Sequence, residues 1–194
     1  MSGGTVRAAR DPAGNSRAIA EALLTLLQEA GPAPTADLIA ARAGVSRRSV
    51  FVHFPSMDEL YTAAAEIQGE RLRTAVWQID PALPLPERIT QFVTQREGVY
   101  EIMTPVRRAA LGRAPASAVL SAMLDQADSR LRGQVARVFE PELAGCEPHV
   151  IDSVDAAVSW AAWYHLRRLG PDGARRCLAY LLESLLAPRA PGDA

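Results

Sequence analysis

Apolar residues along this chain recur at intervals of three and four between proline and glycine punctuation, and strict alternation is almost absent. The pattern predicts an all-α chain of about nine helices with no internal repeat. Asn15 or Ser16 caps a first helix over 16–30, with Ile19, Leu23, Leu26 and Leu27 on its apolar face and Gly31 as its stop. Thr35 caps a short helix to Arg42, Gly44 breaks it, and Ser46 caps another through Val52. Ser56 and Glu59 have the spacing of a capping box and open a long helix to about Ile79. Proline then marks the later starts, giving helices over 86–103, 104–112, 115–139, 148–169 and 171–187.

The short pair over 35–52 is the informative part. Two helices meeting in a tight turn need a small residue where they touch, a glycine in the turn, and apolar residues behind. Ala40 and Gly44 supply the first two, while Ile39, Ala43, Val45, Val50 and Phe54 supply the apolar side. This is the helix-turn-helix layout, whose second helix enters the DNA major groove. Ser46, Arg47, Arg48 and Ser49 lie on the exposed side of that second helix. From Ile39 to Phe54 there are three arginines and no carboxylate.

Charge sharpens the picture. The 194 residues carry 21 basic and 22 acidic side chains, a formal net charge of −1, and every basic residue is arginine. Up to Phe54 six arginines face four acids, which leaves fifteen against eighteen afterwards. A nearly neutral chain has put its positive charge where phosphate would lie. Without lysine, a Walker-type phosphate loop and Schiff-base chemistry are excluded. No GxSxG, HExxH or GxGxxG occurs, and His53, His149 and His165 show no metal spacing with Cys146 and Cys177. No catalytic residue, metal or cofactor is expected. The two cysteines form no CxxC pair, no apolar run is long enough for a membrane span, and no h-region precedes Gly14, so a cytoplasmic location is expected.

The run TADLIAARAGVSRRSVFVHFPSMDELYTAAA resembles the N-terminal domain of TetR/AcrR-family transcriptional regulators over about Ile19 to Ala65. The later stretch SWAAWYHLRRLGPDGARRCLAYLLESLLAP looks like the ending of the family's actinobacterial members. The resemblance implies that Thr35 touches phosphate and that Ser46, Arg47, Arg48 and Ser49 read or flank bases. It places Phe51 and His53 against the DNA backbone. Two positions depart from the family: Phe51 stands where Tyr is common, and Met57 where Lys or Arg is usual.

The implied organisation is a tail over 1–14, a DNA-binding domain over 15–55, a helical ligand-binding and dimerisation domain over 56–188, and a tail over 189–194. The helix over 148–169 has one stripe of Ile151, Val154, Val158, Ala161, Ala162 and Leu169, with Trp160 and Trp163 on its other side. The last helix has Ala174, Leu178, Leu181, Leu182 and Leu185. Two neighbouring helices with apolar surplus suggest an intersubunit four-helix bundle, with Trp160, Leu178, Leu181, Leu182 and Leu185 at the seam. Arg96 falls amid the apolar face of Ile89, Phe92, Val93, Val99, Tyr100 and Met103, and His165 falls in the stripe of its helix. A charge on an inward face needs a partner. Arg96, Tyr100, Met103, Met123, Trp163 and His165 are therefore the candidate lining of an effector site. Arg96 pairs there either with a protein carboxylate or with the acidic head of an amphipathic ligand.

The chain thus reads as a homodimeric repressor that binds a palindromic operator and is released by a small effector. A small all-α enzyme and a helical interaction module that no longer binds DNA stand as alternatives. Turnover of a small molecule separates the first from the regulator, and retention of a specific duplex separates the second.

Overall fold

The computed structural model describes residues 12–29 and 34–187. The expected terminal tails lie mostly outside these residues, as does the Gly31 stop. Within them the chain is all helical, with no strand. Ten α-helices follow in order: α1 (Pro12–Gln28), α2 (Ala36–Ala43), α3 (Arg47–His53), α4 (Met57–Ala75), α5 (Leu85–Arg113), α6 (Ala118–Val138), α7 (Glu140–Leu143), α8 (Pro148–Ala157), α9 (Trp160–Leu166) and α10 (Gly170–Leu186). No helix among the described residues is long and apolar enough to cross a membrane.

The chain divides into two compact units that are not continuous in sequence. One takes residues up to Glu70 together with Pro105–Met123; the other takes Arg71–Thr104 and the chain from Leu124 onward. Sequence expects a single second domain from residue 56, whereas most of α4 belongs to the first unit. The reason is burial. Leu60, Tyr61, Ala64 and Ile67 of α4 join Ile19, Leu23 and Leu24 of α1, Ile39 and Ala40 of α2, and Val50 of α3 in one apolar cluster. Val106 and Leu120 complete it.

The second unit has its own core. Ile89, Phe92, Val93, Tyr100 and Met103 of α5 pack with Val135 and Val138 of α6, Val154 of α8, Trp160 and Trp163 of α9, and Leu178, Leu182 and Leu186 of α10. Phe92 meets Phe139 edge-on, with ring centroids 5.1 Å apart. Buried Arg88 is held in this unit by Glu142, by the carbonyls of Leu83 and Val138, and by the face of Phe139.

Helix boundaries differ from the sequence expectation in several places: α4 stops at Ala75 rather than near Ile79, the short α7 was not expected, and three further differences bear on the sites. First, α1 begins at Pro12, so Asn15 and Ser16 lie inside it rather than capping it. Second, α5 runs through Pro105, where two helices were expected; the ring removes one N–H without ending the helix. Third, the single helix expected over 148–169 breaks at Val158 and Ser159. The Ser159 hydroxyl accepts from the Ala162 N–H at 3.2 Å and so caps α9.

Candidate nucleic-acid interface

The α2–α3 pair is fixed by hydrogen bonds that its own sequence supplies. Thr35 Oγ1 accepts from the Leu38 N–H at 3.3 Å and opens α2. Gly44 closes it in the left-handed region, at φ 67° and ψ 31°, which a side chain rarely adopts. Its N–H donates to the Ala41 carbonyl at 3.3 Å, and the Val45 N–H to that of Ala40 at 3.0 Å. Ser46 Oγ then accepts from the Ser49 N–H at 3.1 Å and starts α3 two residues after the glycine. Ala40 and Val50 are buried where the two helices meet.

With Val50 inward, Arg47 and Arg48 face solvent. Arg47 is partly engaged. Its Nη1 lies 3.2 Å from Asp37 Oδ2, and its guanidinium sits 5.8 Å from the centroid of the Phe51 ring. Arg48 makes no ion pair with a described residue. Arg42, the third cation of the stretch, is directed at the turn just past α1, where both its terminal nitrogens bond Glu29 at 2.7 Å. The cationic face is therefore Arg47 and Arg48.

The other expected contact residues divide by what already holds them. Thr35, Ser46 and Ser49 are committed to helix caps, with the two serine hydroxyls 2.8 Å apart. His53 is half-buried, its Nδ1 2.9 Å from Ser16 Oγ. Phe51 is exposed beside Arg47. Met57 is half-buried against the apolar cluster of this unit, so a cation there would give up packing.

Two features escape the sequence reading. The carboxylate-free stretch begins at Ile39, just past Asp37, which lies in the first turn of α2 and neutralises part of the Arg47 charge. Val52 is 69 % exposed. At about 100° per residue it stands some 200° from buried Val50, and that spacing was a legible signal.

The residues expected to line an effector site do not all gather. Arg96, Tyr100, Met103 and Trp163 are buried together in the second unit. Met123 belongs to the first unit and packs on the cluster there. His165 is exposed. The break before Ser159 shifts the helical phase, so Trp160 and Trp163 turn inward while Ala161, His165 and Leu169 turn out.

The expected dimer seam needs the same correction. Leu178 and Leu182 are 1 % and 0 % exposed in the chain's own core. Trp160 is buried too, donating from Nε1 to Thr104 Oγ1 at 2.9 Å and stacking on Tyr164. All three are occupied within the chain and cannot form a surface. Leu181 and Leu185 are half-buried, and Tyr180 beside them is 69 % exposed.

Comparison with known proteins agrees with this geometry. Residues 19–64 match the model of the bacterial regulatory proteins of the tetR family. A crystal structure of a transcriptional regulator from Rhodococcus sp. Rha1 superposes with a TM-score of 0.69 at 20 % identity, covering 88 % of this chain and 95 % of that one. No curated protein matches the sequence significantly. The matched segment runs from the middle of α1 through the first half of α4 and contains the glycine turn, both caps and the arginine face; the chain therefore carries a helix-turn-helix segment similar to that of the tetR family of bacterial regulatory proteins.

Proposed function

We propose that the protein is a homodimeric repressor that binds a palindromic operator through α3 and is released by a small effector held in the second unit. The observation that carries the DNA part is the pair Arg47–Arg48, outward-facing on a helix whose inward residue and both ends are fixed. Arginine suits both phosphate and the paired acceptors of guanine. Val52, one turn beyond Arg48 on the same face, adds an apolar group suited to the thymine methyl. Homodimerisation rests on the outward side of α10, where Tyr180, Leu181 and Leu185 form an apolar strip that the chain's own core leaves uncovered or half covered. Two copies of α3 on a two-fold axis read half-sites about one helical turn apart. An effector acts by favouring a dimer geometry that no longer matches that spacing.

The test is selection of duplexes from a random pool, followed by binding across a salt series. The expected result is one inverted repeat bound by a dimer. Arg48→Ala should lower affinity by roughly 1–3 kcal/mol if the guanidinium is bidentate to a base, and should flatten the dependence on salt if it meets phosphate. Unchanged affinity in the Arg47→Ala/Arg48→Ala double variant would remove the reading.

A further inference from the structure

Helix α5 buries two arginines eight residues apart, and they are treated differently. Arg88 has a carboxylate, two carbonyls and an aromatic face. Arg96, only 1 % exposed, has no carboxylate within ion-pair distance among the described residues. Its Nη1 donates to the Tyr100 hydroxyl at 3.1 Å and its Nη2 to the Leu131 carbonyl, in the middle of α6, at 2.5 Å. The guanidinium lies 4.7 Å from the Phe92 ring centroid and 5.7 Å from that of Tyr100. Its Nε–H meets no acceptor among the described residues. A guanidinium does not shed its proton, so this is a whole positive charge in an apolar core, met in contact by dipoles and ring faces and only at longer range by the carboxylate of Asp155.

A second donor beside it is also unmet. Trp163 is buried with its ring centroid 5.4 Å from that of Tyr100, and its Nε1–H has no acceptor among the described residues either. Indole and guanidinium thus both lean on one phenol ring, each with an N–H to spare. The Tyr100 hydroxyl is itself tied to the Val158 carbonyl at 2.6 Å, at the break between α8 and α9. Buried N–H groups in native proteins nearly always find an acceptor, and two unmet ones near one ring point to an acceptor from outside the described residues.

We propose that Arg96 and the Trp163 N–H receive the carboxylate of an apolar, singly charged effector in the second unit. The inference rests on the effector-released reading and names the ligand class for it. One guanidinium balances one negative charge. Asp155, the acid that acts on Arg96 electrostatically from α8, makes a dianion such as a phosphate monoester unfavourable there. The surroundings, Phe92, Met103 and the rings of Tyr100 and Trp163, suit a hydrocarbon body rather than a polar one.

The experiment uses the purified full chain without DNA, read by tryptophan fluorescence and by thermal melting. The probes are octanoate and benzoate, each against its uncharged counterpart, octanol and benzyl alcohol; the pair that responds tells an acyl from an aromatic acid. The expected result is saturable binding of one acid at least tenfold tighter than its alcohol, with a raised melting temperature. Arg96→Met should erase that preference, and Trp163→Phe should weaken the acid while leaving the alcohol unchanged. Equal binding of acid and alcohol, binding of neither acid, or an acid preference that survives in Arg96→Met would each overturn the proposal. If Arg96→Met does not fold, the wild-type acid-to-alcohol ratio and the Trp163→Phe variant still decide. Operator retention is measured separately. A protein that binds the acid through Arg96 but retains no duplex refutes the DNA reading alone; one that retains a duplex but shows no acid preference refutes this proposal alone.

Discussion

Asp37 offers a test in which stability and binding should move in opposite directions. Its carboxylate lies 3.2 Å from Arg47 Nη1, with both side chains more than half exposed. An exposed pair of this kind contributes about 0.2–1 kcal/mol. To reach DNA, Arg47 must give up or share that partner, and the carboxylate itself repels phosphate. Asp37→Asn should therefore tighten operator binding by roughly 1.4- to 5-fold, the same energy expressed as a ratio, with a further gain at low salt from the lost repulsion. Asp37 also sits in the first turn of α2, where a negative charge favours the helix by about 0.3–1 kcal/mol. The variant should melt about 1–4 °C lower in a chain of this size. Fluorescence anisotropy on the selected duplex at several salt concentrations, beside a thermal melt, reads both quantities. A variant that melts lower and binds equally or more weakly would show that Arg47 does not leave Asp37 on binding, and Arg48 would then stand as the cation that meets DNA.

Three further outcomes are expected. Glu142→Gln removes the carboxylate from buried Arg88 and should destabilise by roughly 3 kcal/mol, or about 6–12 °C in melting temperature. The Arg88 hydrogen bonds hold the Glu142 carboxyl below its ordinary value, so its contribution is full above the ordinary carboxylate range and is lost as pH falls through the lowered value; the two proteins should converge in acid. Replacing operator thymines by deoxyuridine one at a time should weaken the wild type severalfold at the position that meets Val52 and should leave Val52→Ala indifferent there; uniform indifference in the wild type would take Val52 out of the groove. Leu181→Glu places a charge in the apolar strip of α10 and should give monomers in sedimentation; intact dimers would put the interface elsewhere.

What was legible in the sequence was what is decided locally. Thr35 and Ser46 act as caps because each hydroxyl reaches an N–H three residues on, and Gly44 takes the left-handed turn because its own backbone permits it. Ala40 and Val50 follow from helical spacing alone. The misreadings arise where tertiary burial decides. Pro105 looked like a helix start, but its helix is packed along both sides of the ring's position, by Met103 and Val106, and continues. Ser159 stood inside an apolar run and gave no sign of being a cap. Once it caps α9, the stripe drawn for an unbroken helix no longer applies beyond Val158, and His165, expected inward, turns to solvent while Trp163 stays in the core.

Arg88 and Arg96 mark the limit of such reading most sharply. Eight residues apart, they fall on nearly one face of α5, since eight steps of about 100° come within roughly 80° of a full turn count, and both enter the same core. Periodicity can therefore identify an inward charge without identifying its partner. For Arg88 the partner is Glu142, 54 positions away on a one-turn helix that the apolar pattern did not reveal. For Arg96 the charge meets hydroxyl, carbonyl and ring faces but, among the described residues, no carboxylate in ion-pair contact. A structural arginine gives every nitrogen an acceptor, as Arg88 does, because each unmet one lowers stability. Retaining an N–H unmet among the described residues on a fixed charge, beside a second on Trp163, makes sense where an acceptor arrives from outside the chain. The difference between the two arginines, rather than the burial they share, is what separates a site for an anion from a brace of the fold.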